Sequence, residues 1–185
     1  QGRALLTATG ACAIHCRYCF RRHFPYADAN PLADQWQQSI NYIAQHSDVN
    51  ELILSGGDPL TLTDARLHSL TRQLAGITHL RTLRIHSRLP VVLPERIDAG
   101  LLSWLEAQHL QVVMVIHCNH PNEIDADVSA AMTRLRQAGV TLLNQSVLLR
   151  GINDNAATLI RLSEQLFTAS VLPYYLHQLD KVEGA

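Results

Sequence analysis

Apolar runs of strand length alternate with amphipathic stretches of helix length along this chain. Candidate strands are Leu5–Thr9, Glu51–Ser55, Leu80–His86, Gln111–Ile116, Val140–Val147 and Val171–Leu176. Between them, Pro31–His46 carries Trp36, Ile40 and Ile43 at helical spacing. Thr63 and Asp64 open a helix whose apolar face holds Leu67, Leu70 and Leu74. Pro94 starts one with Ile97, Leu101 and Leu105. Asp125–Ala138 is closed by Gly139, and Asp154 or Asn155 caps a helix running through Phe167. Six strand–helix units in succession predict a parallel sheet with right-handed crossovers. The strand cores are nearly continuous in apolar residues, as in sheets covered on both faces. The predicted fold class is α/β, a partial TIM-like (β/α)6 barrel with outer helices. An open Rossmann-like sheet is the alternative, but its glycine fingerprint after the first strand is replaced here by cysteines.

Composition narrows the picture. A chain of 185 residues suffices for one domain with a full core. No linker or repeat divides it, so residues 1–185 are read as a single domain. Net charge is −1, which excludes a nucleic-acid-coating role. No apolar stretch approaches a membrane span, and no secretion signal opens the chain. A cytoplasmic site is the expectation. The first residue is not Met and no stop signal is visible at Lys181–Ala185, so the chain reads as an excised domain. Lys181 is the one lysine among fifteen basic residues.

The densest chemistry lies in Cys12, Cys16 and Cys19, spaced C-x3-C-x2-C with Tyr18 before the third. Three close thiolates suit three irons of a cubane 4Fe–4S cluster. The fourth iron then stays open to a small molecule. This spacing is the signature of radical SAM enzymes, in which S-adenosylmethionine (SAM) chelates the open iron. Two other readings stand beside it. His15 or His23 with the three Cys would make a zinc site, and Cys118 would complete a four-Cys electron-transfer cluster. Four Cys, three of them clustered, suit a reducing compartment better than a disulfide framework.

Polar motifs follow the strands where a barrel places its active site. Ser55-Gly56-Gly57-Asp58-Pro59 follows the second strand, and its glycines predict close approach of backbone to a ligand. His86-Ser87-Arg88 follows the third, and His117-Cys118-Asn119-His120 with Glu123 the fourth. Asn144-Gln145-Ser146 lies in the fifth, and His177-Gln178-Leu179-Asp180 follows the sixth. Taken singly, each group reads as satisfied strand-end residues. Several on one rim point to a site. Cys118 is expected to be a small buried hydrophobe. Arg21 and Asp180 read as two ends of a site that measures an amino acid with a basic side chain.

Longer phrases carry a family resemblance. Cys16-Arg17-Tyr18-Cys19-Phe20-Arg21-Arg22-His23-Phe24-Pro25-Tyr26, Leu54-Ser55-Gly56-Gly57-Asp58-Pro59-Leu60, Arg84-Ile85-His86-Ser87-Arg88-Leu89-Pro90, Asn119-His120-Pro121-Asn122-Glu123, Leu143-Asn144-Gln145-Ser146-Val147 and Pro173-Tyr174-Tyr175-Leu176-His177 resemble the lysine 2,3-aminomutase family of radical SAM enzymes. They resemble especially its bacterial branch that makes β-lysine for elongation factor P. The resemblance implies a radical SAM barrel and an isomerase that moves the amino group of lysine from C2 to C3. The implied cofactors are the 4Fe–4S cluster, SAM and pyridoxal 5′-phosphate (PLP). The implied metal ligands are Cys12, Cys16 and Cys19. Cofactor contacts are implied for Arg3, Tyr18, Ser55, Gly56, Gly57, Asp58, His117 and Gln145. Substrate contacts are implied for Arg21, with the carboxylate, and Asp180, with the distal ammonium. The family's PLP lysine is expected in a segment after Ala185, not at Lys181, and an N-terminal segment is expected before Gln1. A homo-oligomer is a further possibility. Aminomutases of free-lysine catabolism, or of glutamate or arginine, are the enzymatic alternatives.

Overall fold

The structure, a computed structural model, describes residues 2–19, 21 and 33–181, with the side chains of 33–35 excepted. Six strands form one sheet in the order β1-β2-β3-β4-β5-β6, every neighbouring pair parallel. They are β1 (Arg3–Thr9), β2 (Glu51–Gly56), β3 (Thr82–Ser87), β4 (Gln111–His117), β5 (Thr141–Val147) and β6 (Leu172–His177). Helices α1 (Ala33–Gln45), α2 (Asp64–Leu74), α3 (Leu89–Val92), α4 (Ala99–Glu106), α5 (Ala126–Gln137) and α6 (Ala156–Thr168) lie between them. No described helix is long and apolar enough to cross a membrane.

Alternation along the strands sets the two faces of the sheet. Leu52, Leu54, Leu83, Ile85, Met114, Ile116 and Leu142 face the helices and join one core with Leu67, Leu70, Leu101, Trp104, Met132 and Leu162. The opposite face is mixed. Val113, Val115 and Leu143 form a small separate apolar cluster there. Glu51, Arg84, His86, His117 and Gln145 share that face by register. The near-continuous apolar strands expected from sequence therefore hold for the helix side only.

The polar face is concave. The Arg84 guanidinium lies 5.5 Å from the Tyr174 ring centroid, although β4 and β5 separate their strands. Three strand spacings in a flat sheet are about 14 Å, so the sheet curls and its first and last strands face each other across a lumen. This is the predicted partial (β/α)6 barrel.

Local chemistry corrects several boundaries. The helix expected from Pro94 begins at Ala99. Residues Pro94–Arg96 make a 3-10 turn, and Asp98 caps α4 by accepting from Leu101 N at 2.9 Å. Asn155, not Asp154, caps α6, accepting from Thr158 N at 2.9 Å. Thr63 occupies the α2 cap position without a side-chain bond. The expected helix start at Pro31 lies outside the described residues.

The Ser55–Asp58 turn binds the loop that leaves β1. Gly57 N donates to Thr9 O and Asp58 N to Ala11 O, both at 2.7 Å. A Cβ on Gly57 would sit 2.2 Å from Ala11 O and 2.7 Å from Gly10 C. A Cβ on Gly56, whose φ is +116°, would meet Thr9 O at 2.6 Å. Beside the ligand access expected of them, these glycines admit the backbone of the cysteine loop. Gly57→Ala should destabilise the chain by roughly 1–3 kcal/mol through overpacking against main chain that cannot rotate away. Thermal and urea unfolding of the variant against the parent measure it; equal stability would contradict this packing.

Candidate functional site

The cysteine loop sits at the C-terminal rim of the lumen. Cys12 is exposed, while Cys16 and Cys19 are half-buried. A turn closed by Cys19 N donating to Cys16 O at 3.1 Å brings the last two thiols together. Shielding by the loop raises the Cys12 pKa, as do the Asp58 charge and the two other thiols, Cys19 ahead of Cys16. A cation at this place would reverse that penalty. Three thiols spaced C-x3-C-x2-C on one loop are soft donors that fit three irons of a cubane 4Fe–4S cluster. His23, the alternative zinc ligand, lies outside the described residues, as do Phe20 and the 22–26 stretch.

Cys118 is fully buried in the helix-side core, and burial, with Glu123 adding to it, pushes its thiol up to about 12. It faces away from the lumen, which removes the four-Cys electron-carrier reading. The polar residues around it are structural. Asn144 Oδ1 accepts from Cys118 N at 2.9 Å, and Ser146 Oγ donates to Cys118 O at 2.6 Å. Asn144 and Ser146 thus serve the strand end, and Gln145 alone of that triplet is on the lumen side. His117 and His120 have separate surroundings. His120 caps the Pro121–Glu123 turn by accepting from Asn122 N at 3.2 Å.

Five of the sequence-predicted residues, Arg21, Ser55, Gly56, His117 and Gln145, lie at the upper lumen. Arg21 Nη1 donates to Ser55 Oγ at 2.7 Å and to Gly56 O at 3.3 Å. Deeper in, Gln145 Nε2 lies 2.7 Å from His117 Nε2. His117 and His86 meet edge-on with ring centroids 6.3 Å apart. Burial first, then the nearby His86 and Arg88, lower the His117 pKa to about 3. Burial first, then Arg84, lowers His86 to about 4. Both rings are neutral at neutral pH and available as hydrogen-bond donors and acceptors.

Asp58, an expected cofactor contact, has a structural part as well. Its Oδ1 accepts from Ser87 Oγ at 2.7 Å and Leu60 N at 3.0 Å. Its Oδ2 accepts from Arg88 N at 2.7 Å and Leu89 N at 3.2 Å. Burial pushes its carboxyl above the ordinary range against the pull of these donors. With four donors from its own chain, the carboxylate fastens the β2 turn to the end of β3.

Beside the expected Arg3, the lumen floor carries two charges that sequence reasoning missed, Glu51 and Arg84. Glu51 accepts from Arg84 Nε at 2.6 Å and pairs with Arg3 Nε at 2.6 Å. Arg3 begins β1, so the length of that strand, roughly 20 Å, separates it from the cysteine loop. The clue to Arg84 was the alternation in Thr82-Leu83-Arg84-Ile85-His86. Tyr18 accepts from Asn119 Nδ2 at 2.7 Å and lies under the Arg88 guanidinium. Asp180 and Lys181 are exposed at the far rim, after β6. A separate groove lined by Leu5, Tyr42 and His46 lies between β1 and α1, away from this rim.

The radical SAM superfamily family model matches residues 6–162. An L-lysine 2,3-aminomutase of Escherichia coli (strain K12) is 55% identical over 185 residues, covering 100% of this chain and 54% of that protein. One from Haemophilus influenzae is 55% identical over 186 residues, covering 100% and 55%. The chain thus spans about half the length of the curated relatives it matches. Among solved structures, Streptococcus suis SuiB bound to S-adenosylmethionine superposes with a TM-score of 0.69. It is 12% identical and covers 99% of this chain and 42% of that one, a likeness of fold.

The neutral imidazoles make stability depend on acid. The unfolded chain takes up protons at His86 and His117 below about pH 6.5, whereas the folded chain does so only near 3 to 4. Their contribution is complete above pH 6.5 and is lost as pH falls. Between pH 7.5 and 5 each should cost about 2 kcal/mol of unfolding free energy. Urea titrations at both pH values test this, with His117→Gln flattening the dependence; an unchanged slope in that variant would contradict the neutral ring.

Proposed function

The chain belongs to the radical SAM superfamily, and from that footing we propose that it carries the cluster- and SAM-binding core of a PLP-dependent L-lysine 2,3-aminomutase. The observation that carries this reading is the three-thiol loop, seated by the Ser55–Asp58 turn over a lumen lined by neutral imidazoles and arginines. The 55% identity to two L-lysine 2,3-aminomutases supports the substrate class. β-Lysine for elongation factor P is the proposed product use, resting on the branch-like phrases Cys19–Tyr26 and Tyr175–Ala185. A cytoplasmic setting suits free thiols and an oxygen-sensitive cluster.

Cys12, Cys16 and Cys19 would hold three irons and leave the fourth for SAM. When bound, these groups supply a 5′-deoxyadenosyl radical for hydrogen abstraction, with PLP activating the migrating amino group. This chain's residues bind and orient. Ser55, Gly56 and Gly57 would lend SAM backbone and hydroxyl groups. Tyr18 would offer a ring face to the adenine. Gln145 and neutral His117 would offer polar atoms to SAM without adding positive charge. Arg3, on the lumen floor, suits an anionic PLP phosphate better than a ligand at the rim. Arg21 would take the substrate carboxylate, exchanging part of its hold on Ser55 and Gly56. Asp180 would take the distal ammonium, an assignment that disfavours a glutamate substrate through like-charge repulsion.

Two experiments test the proposal. Anaerobic reconstitution should bring iron and sulfide toward about four each per chain, the stoichiometry of a cubane. The EPR spectrum of the reduced cluster should change on adding SAM. A stoichiometric zinc content with no cluster, or a spectrum indifferent to saturating SAM, would overturn the reading. Asp180→Asn, assayed anaerobically in the complete enzyme with PLP, should lower kcat/KM for lysine at least about tenfold, the loss of one charge-assisted hydrogen bond. Parent-like turnover would remove Asp180 from the substrate site.

A further inference from the structure

We propose that Arg88 sets the reduction potential of the cluster by donating from a clamped guanidinium to the sulfur of Cys16, an inference that rests on the cluster reading above. Arg88 Nη1 lies 3.5 Å from Cys16 Sγ, within hydrogen-bonding range for sulfur. The group is held from several directions. Its Nη2 donates to Glu123 Oε2 at 3.0 Å. Its Cζ stands 5.5 Å from the Tyr18 ring centroid. Its backbone N donates to Asp58 Oδ2 at 2.7 Å.

The clamp is itself fixed. Glu123 Oε1 accepts from Asn119 N at 2.8 Å and His120 N at 3.0 Å, so the carboxylate cannot follow a moving arginine. Asn119 also holds the Tyr18 hydroxyl and, through Oδ1, Val147 N at 2.8 Å. The Arg88 Nε donor is buried and has no partner among the described residues. A guanidinium fixed by a carboxylate, a ring and its own backbone, with one N–H on a cluster sulfur, is more than packing requires.

The consequence is electrostatic. On reduction the cluster gains one electron from an external one-electron donor, and no bond is made or broken. The added negative charge spreads over the irons and sulfurs. Hydrogen bonds to the sulfurs and nearby positive charge favour that reduced form and raise the potential. Arg88 supplies both at Cys16. The charge of Glu123 offsets part of this field, so the pair sets an intermediate value.

The test is an anaerobic potentiometric titration of the full chain, reconstituted and followed by EPR. Arg88→Met removes charge and donors while keeping a flexible stem. Its reduction equilibrium constant should fall at least tenfold, about 59 mV for a one-electron couple. Arg88→Lys keeps the charge but loses the planar fork, and should fall by less. A full complement of iron with the parent potential in Arg88→Met overturns the proposal. So does the loss of the cluster in both variants while far-UV circular dichroism stays native, which would make Arg88 a support of the loop only. A parent chain that takes up no 4Fe–4S cluster would instead refute the functional reading beneath it.

Discussion

The approach of the Gly56–Gly57 turn to the backbone of Thr9–Ala11 is the constraint on which the rest of the site depends. Two hydrogen bonds of 2.7 Å tie the first strand–loop junction to the second. Asp58 then carries the connection onward, its carboxylate accepting from Ser87, Arg88 and Leu89 at the end of β3. Arg88 continues it to Glu123 beyond β4, and Asn119 to Val147 at the end of β5. The C-terminal rim is thus a chain of polar contacts crossing five strands, with the cysteine loop as one link. A side chain on Gly57 would break the first link, and every later one would lose its reference point.

Much of this was legible in the sequence. The six strands and the main helices follow from apolar period, because a sheet covered by helices needs Leu, Ile and Val on its outer face. The cysteine loop and the rim motifs were visible through spacing and position. What alternation could not tell is which polar residues face the lumen. Asn144 and Ser146 looked like site residues beside Gln145, yet period two sends them to the helix side, where they hold Cys118. Asp58 was expected at a ligand, and spacing alone did not show that its carboxylate also joins two strands. The Pro94 helix was misjudged because Pro and Asp both signal helix starts, and Asp98 outcompetes Pro94 by capping through its side chain.

The lumen wall varies around its circumference. Arg3, Glu51 and Arg84 meet toward its floor, Val113, Val115 and Leu143 make an apolar patch on β4 and β5 at the level of Arg84 and His86, and His117 stands nearer the mouth. Burying Glu51 is tolerable only because two arginines meet it; removing either partner would leave an uncompensated buried charge. The floor carries more positive than negative side chains, which favours an anionic group there. Leu5 and Tyr174, on the first and last strands, remain 53% and 39% exposed, so among the described residues the lumen is open to water between β1 and β6.

That openness gives the neutral state of His86 and His117 its importance. Burial, not a nearby cation alone, is the main cause of their lowered pKa values. Arg84 and Arg21 disfavour a proton on His86, and Arg88 and Arg21 disfavour one on His117. A protonated ring would repel these guanidiniums and would also repel the sulfonium of SAM, itself a cation. A neutral ring keeps a lone pair and an N–H, and Gln145 beside His117 orients it. The same arginines that would draw carboxylates and phosphate into the lumen therefore keep its imidazoles uncharged. The site can be rich in cations toward anionic groups and yet impose no imidazolium beside a sulfonium.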